Sequence, residues 1–173
     1  MKTIILPGYS EHNREWAEDV ANDFRLKIKD QIIVHKWRHW VSPSLSLSLR
    51  KEIESIKKEL KTEKKFNILA KSVGVFVCLN LIHELESQVV NKVILCGIAS
   101  VTTDDRKSLL ASLLGKISVD NILCIQNEND KYVKYSKAEN FYHSVEPKLK
   151  VVSMPRSDHE YPYADLFLEF LGN

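Results

Sequence analysis

Short apolar runs alternate along this chain with longer stretches in which apolar residues recur every three or four positions. The runs Thr3 to Leu6, Gln31 to Lys36, Phe66 to Ala70, Lys92 to Cys96, Asn121 to Gln126 and Leu149 to Met154 are mostly apolar on both faces. That is the pattern of strands in a parallel sheet covered on both sides. Between them Glu11 to Phe24, Leu45 to Leu60, Val73 to Leu85, Arg106 to Leu114 and Tyr132 to Val145 read as helices, and Tyr161 to Leu171 closes the chain with another. One segment, "SPSLSLSLRKEIESIKKEL", begins with the alternation of a strand. Leu45, Leu49, Ile53, Ile56 and Leu60 nevertheless keep a helical period, with Ser44 after Pro43 as a suitable N-cap. Strictly alternating strands and helices imply right-handed crossovers and a doubly wound, three-layer αβα sandwich of about six parallel strands. A chain of 173 residues suits one domain over residues 1–173.

In such sheets ligands sit at the carboxyl ends of the strands, so the residues just after each strand carry the interest. Gly8, Gly74 and Gly97 fall there. "LPGYSEH" lacks GxGxxG and "AKSVG" lacks GxxxxGK[ST], which argues against a nucleotide loop. Instead, Ser72 in "AKSVG" stands at the strand-to-helix turn, with Ala70 two before it and Gly74 two after it. This is a nucleophile elbow with alanine in place of its first glycine. A plain N-cap serine is the bland alternative, and the capping box that would support it is absent because position 75 is Val. A serine nucleophile needs a base, and the base needs an acid. His159 follows the last strand in "MPRSDHEYPY"; Asp130 follows the fifth in "QNENDKYV", with Glu128 as a spare acid. A flavodoxin-like domain using Ser72 and Gly74 to hold phosphate would leave Asp130 and His159 unexplained. For an oxyanion, Val73 offers one backbone N–H and Tyr9 or Ser10 the other, with Gly8 letting the main chain approach; Pro7 has no N–H.

Composition removes other classes. Lys and Arg total 25 against 23 Asp and Glu, and the net charge of +2 is spread along the chain, so neither nucleic acid nor an anionic membrane is expected as a partner. No segment approaches the roughly 20 apolar residues of a membrane span, and "MKTIILPGYS" is too short for a signal-peptide core. A cytoplasmic location is expected. Cys78, Cys96 and Cys124 lie inside apolar runs, spaced as buried free thiols rather than as metal ligands.

Taken together, "ILPGYSEHNREWAEDV", "ILAKSVGVFVCLNLI", "QNENDKYV" and "RSDHEYPY" give the chain a likeness over almost its whole length. It resembles the α/β-hydrolase superfamily, and within it the compact serine-hydrolase branch typified by the retinoblastoma-binding serine hydrolase and small bacterial relatives. The resemblance implies hydrolysis of a small ester, thioester or amide through an acyl-serine intermediate, with Ser72, His159 and Asp130 as the triad and with no metal or organic cofactor. It also raises an alternative, a hydrolase-like binding protein with little or no turnover, since the branch is named for a protein partner. A monomer or homodimer is expected.

Several positions depart from the family pattern. Ala70 replaces the elbow glycine, Lys71 puts a cation beside the nucleophile, and Pro7 stands where an HG motif has histidine. The sheet starts at the equivalent of the family's third strand, and residues 98–120 leave room for one short helix where larger relatives insert a lid. The pocket is therefore expected to be shallow and open. Gly8, His12, Trp37, Trp40 and Tyr161 are candidate wall or rim residues, with packing beneath a loop as the alternative for the tryptophans.

Overall fold

The protein is described by a computed structural model covering residues 1–42, 44–85, 90–102 and 104–172. Six strands, β1 (Lys2–Leu6), β2 (Gln31–Val34), β3 (Phe66–Lys71), β4 (Val90–Cys96), β5 (Ile122–Asn127) and β6 (Lys150–Met154), form one sheet in the order β2-β1-β3-β4-β5-β6. All pairings are parallel. The helices are α1 (Asn13–Lys27), α2 (Arg38–Val41), α3 (Leu49–Leu60), α4 (Val73–Glu84), α5 (Asp104–Leu114), α6 (Tyr135–His143) and α7 (Ala164–Gly172). The six-strand doubly wound sandwich expected from the alternation is present.

The pleat divides the core into two clusters. Ile4, Leu6, Ile68, Ala70, Val93, Leu95 and Cys124 face α3 to α6. Their neighbours Ile5, Leu69, Ile94, Cys96, Leu123 and Ile125 face α1 and α7, where Trp16, Phe24 and Phe167 pack. Successive side chains on a strand point to opposite faces, so strands sandwiched between two helical layers are apolar at most positions, with Thr3, Asn67, Lys71, Gln126 and Asn127 as buried polar exceptions. The three cysteines are buried and free, and burial pushes the Cys96 thiol up to about 12. Among the described residues no helix is long and apolar enough to cross a membrane.

Several boundaries differ from the sequence expectation. The third helix begins at Leu49, not Leu45, and Ser48 occupies the N-cap position. Ser44 is therefore not the cap, and Pro43 lies outside the described residues. In residues 44–48 serines alternate with leucines and offer the backbone local hydrogen-bonding alternatives to a helix, which starts only where the period is unbroken. β2 stops at Val34, which leaves His35 beyond it. The four-residue α2 is too short to show a period. At the last helix the expected start, Tyr161, is instead a buried loop residue packed against the sheet.

The order of strands places a switch point between β1 and β3: the chain leaves β1 towards β2 on one side and then returns to build β3 to β6 on the other. The loops after β1 and β3 diverge there and open a crevice above the carboxyl ends.

Candidate active site

Ser72 sits at the tip of β3 in a backbone conformation of φ 58° and ψ −117°, and it is the one non-glycine residue with positive φ among those described. Left-handed backbone at a β-carbon-bearing residue costs energy and persists only where the surroundings enforce it. Here they do. The Ser72 N–H donates to the Cys96 carbonyl at 3.0 Å, and a β-carbon at Gly74 would lie 2.1 Å from the Leu6 carbonyl oxygen, so α4 crosses β1 at a distance only glycine allows. Val73 opens α4, where backbone N–H groups have no intrahelical acceptor and the helix dipole favours negative charge. Replacement of the elbow's first glycine by Ala70 is accommodated, because Ala70 is a buried strand residue within the sheet.

Next along the crevice, His159 and Asp130 meet. His159 Nδ1 lies 2.6 Å from Asp130 Oδ2, and both residues are buried. The carboxylate is fully engaged: the Tyr161 hydroxyl donates to Oδ2 at 2.7 Å, and the N–H groups of Tyr132 and Val133 donate to Oδ1 at 2.8 and 3.3 Å. Burial resists ionisation of Asp130, but the bonds from His159, Tyr161 and Tyr132 outweigh it and hold the carboxyl below its usual range. Glu128, the spare acid, is exposed and plays no part in this contact. The opposite ring nitrogen of His159, Nε2, is buried without a hydrogen-bond partner, and no hydrogen bond joins it to Ser72.

Neighbouring contacts place the His159 ring beside the turn that carries Ser72. Gly97, at the end of β4 beside Ser72, has φ 65°, and a β-carbon there would lie 2.5 Å from the Tyr161 ring and 3.2 Å from His159 Cε1. Tyr132 stacks edge-on against His159 with centroids 4.6 Å apart, and its ring borders a cavity of about 350 Å³ that Ser72 and Val73 also line. Tyr9 and Tyr132, both exposed, stand at its mouth. Phe76, Ala99, Ser100 and Arg106 form the remaining wall.

The other predicted residues separate into distinct places. Gly8 is buried in the loop after β1, where Asn13 fills the space a β-carbon would need. His12 is on the surface, 3.6 Å from Glu160, and does not line the cavity. Trp37 and Tyr161 are fully buried, and neither they nor Gly8 or Trp40 line the cavity, so all four support the site rather than form its rim. The Trp37 indole N–H donates to the Gly8 carbonyl at 3.0 Å, and Trp40 Nε1 and His39 Nε2 each lie 2.7 Å from the Tyr9 carbonyl. Because the peptide is trans and planar, fixing those two carbonyls sets the opposite directions of the Tyr9 and Ser10 N–H groups. Lys71 does not face the cavity beside Ser72: it is buried on the other side of the sheet, 2.9 Å from Glu160 and over the Trp16 ring.

Sequence reasoning missed two elements of this arrangement. Asn127, at the end of β5, donates its side-chain amide to the carbonyls of Asp158 and Glu160, and accepts from the Tyr163 hydroxyl. It thereby clamps the histidine loop, and two successive amides, Gln126 and Asn127, closing an apolar run are a readable signal. Arg106 at the cavity wall carried none. Among the described residues no group of three or more His, Cys, Asp or Glu side chains is placed to hold a metal ion.

Residues 3–159 match the model of a family described as serine hydrolase. No match was found among curated proteins. Similar solved structures include a lid-less α/β serine hydrolase of Xanthomonas campestris, 16% identical, TM-score 0.69, covering 99% of this chain and 80% of that one. An esterase of Exiguobacterium antarcticum is 12% identical with TM-score 0.66, over 100% and 92% of the two chains. An α/β-hydrolase enzyme from a lagoon-sediment metagenome at Mar Chica, Morocco, is 14% identical with TM-score 0.68, over 99% and 89%. At these identities the likeness carries the fold alone.

Proposed function

We propose, because this chain belongs to the serine hydrolase family, that it cleaves a small ester, thioester or amide through an acyl-serine intermediate on Ser72. The observation that carries this reading is the buried Asp130–His159 pair whose free Nε2 has no other partner, set beside a serine on a strained strand-to-helix turn. His159 Nε2 takes the Ser72 hydroxyl proton as the oxygen attacks the substrate carbonyl. The tetrahedral oxyanion rests on the Val73 N–H and on that of Tyr9 or Ser10. Protonated His159, stabilised by Asp130, gives its proton to the leaving group, and water repeats the cycle to release the acid. No step calls on a metal or an organic cofactor.

A second reading, a binding protein with little turnover, has one observation in its favour: the Ser72 to His159 link is open. Catalytic hydrogen bonds are commonly long in unliganded sites and close on substrate, so the enzyme reading is preferred. Labelling with a fluorophosphonate probe and hydrolysis of p-nitrophenyl acetate and butyrate separate the two. Wild type is expected to label and turn over, and Ser72→Ala to do neither. Labelling that persists in Ser72→Ala overturns the assignment of the nucleophile, and a wild type inert in both assays supports the binding reading.

A further inference from the structure

Among the described residues, Arg106 is the one charged side chain lining the cavity beside Ser72. This side chain rises from the first turn of α5, and its guanidinium lies over the ring of Phe76, 5.0 Å from the centroid. Phe76 is one turn beyond Ser72 on α4, so the cation stacks on a side chain of the helix that Ser72 precedes, and both Arg106 and Ser72 line the one cavity. Of the other arginines, Arg25, Arg50 and Arg156 pair with carboxylates, and Arg14 and Arg38 are exposed to solvent. Arg106 pairs with none among the described residues, and its Nε is buried without a hydrogen-bond partner. The nearest acids on its own helix, Asp104 and Asp105, are exposed; Asp105 borders the adjoining groove between α4 and α5. Burial also lowers the Arg106 pKa, as expected where water is withdrawn and no protein anion replaces it.

A guanidinium fixed by stacking and short of acceptors is matched by a planar anion that accepts two parallel hydrogen bonds. One cation balances one negative charge, which fits a carboxylate better than a doubly charged phosphoryl group. Arg106 is also shared between the Ser72 cavity and the groove beyond Phe76, so a chain reaching past the nucleophile meets it. We propose that the site selects substrates carrying a carboxylate remote from the scissile carbonyl, of which the monoester of a short dicarboxylic acid is the simplest. The carboxylate docks on Arg106 while the ester carbonyl lies at Ser72. The reaction rests on the hydrolase reading above; the binding of a carboxylate by Arg106 does not.

Two measurements keep these separate. In the first, kcat/KM is compared for methyl hydrogen glutarate and uncharged methyl pentanoate. Wild type is expected to favour the charged ester, and Arg106→Met to lower that ratio at least about tenfold, the scale of a charge-assisted hydrogen-bonded pair, with Arg106→Lys in between. In the second, methyl hydrogen glutarate, methyl pentanoate and inorganic phosphate are titrated calorimetrically into the Ser72→Ala protein, with and without Arg106→Met. The charged ester alone is expected to bind, and only when Arg106 is present. Binding without turnover of either ester upholds the anion site and defeats the hydrolase reading. Hydrolysis of both esters with a ratio unaltered by Arg106→Met overturns the proposal and leaves that reading intact, and phosphate binding tighter than methyl hydrogen glutarate overturns the choice of carboxylate. Circular dichroism confirms that the variants are folded, and Arg106→Gln serves should Arg106→Met unfold.

Discussion

The Tyr161 hydroxyl donates to Oδ2 of Asp130 at 2.7 Å, sharing that oxygen with the ring of His159. It also accepts the Asn127 N–H at 3.2 Å, so the phenol lies between the strand end and the acid. Tyr161→Phe removes a buried hydrogen bond to a charged group and leaves a backbone donor unpaired, for a loss of about 2 kcal/mol. The sign of its pH effect follows from the depressed Asp130 pKa. Such a group adds stability that is present above its unfolded value of about 4 and is lost as pH falls through the folded value. Without Tyr161 the folded value moves up, so acid unfolding starts at higher pH. Denaturant titrations across the acid range test this; an unmoved acid limb in Tyr161→Phe refutes it.

Trp37 and Trp40 hold different carbonyls of the loop after β1, and this separates the two candidate oxyanion donors. Trp37 fixes the Gly8–Tyr9 peptide, and Trp40 together with His39 the Tyr9–Ser10 peptide. If the Tyr9 N–H meets the oxyanion, Trp37→Phe lowers kcat about tenfold or more with little change in KM, a fraction of the loss on deleting a donor outright. Trp40→Phe combined with His39→Phe produces that split if the donor is Ser10, since both side chains hold the Tyr9 carbonyl. Equal kcat in both variants and wild type discards the orienting role of the indoles.

At Gly74 the clash of an added β-carbon is with backbone, the Leu6 carbonyl at 2.1 Å and that of Pro7 at 2.9 Å. Neither can swing aside as a side chain would. Gly74→Ala is expected to cost about 3 kcal/mol or more, beyond ordinary overpacking, and to abolish fluorophosphonate labelling. Gly172→Ala, with nothing within 4 Å of the added carbon, is the control and should be tolerated. A normal denaturation midpoint for Gly74→Ala contradicts the close crossing of α4 over β1.

His35 is buried between two acids of α3, with Nε2 2.9 Å from Glu52 and Nδ1 3.2 Å from Glu59. Burial works against its charged form, yet the two carboxylates prevail and raise its pKa above the usual value. Stability from such a group is fully present below the unfolded value of about 6.5 and disappears as pH rises through the folded one. His35→Gln is expected to remove this alkaline decline and to cost about 3 kcal/mol at low pH, because Glu52 is left buried without its cation. Unfolding free energies measured from about pH 5.5 to 9 decide it; a slope unchanged in His35→Gln assigns the decline elsewhere.

The alternation of apolar runs and helical periods was enough to read six strands, the parallel sheet and the turn at Ser72, because pleat, helical pitch and strand-to-helix connection are local properties of the chain. Chain order likewise placed Ser72, Asp130 and His159 after separate strands of one sheet. Tertiary structure alone decided that Asp130 rather than Glu128 meets the histidine, that Trp37 and Tyr161 turn inward as supports, that Lys71 leaves the crevice for Glu160, and that Arg106 enters it. Each of those outcomes depends on which way a side chain points and on partners distant in sequence, as with the 89 positions separating Lys71 from Glu160. Periodicity specifies the face of an element, but the partner waiting on that face is supplied by the packing of the whole.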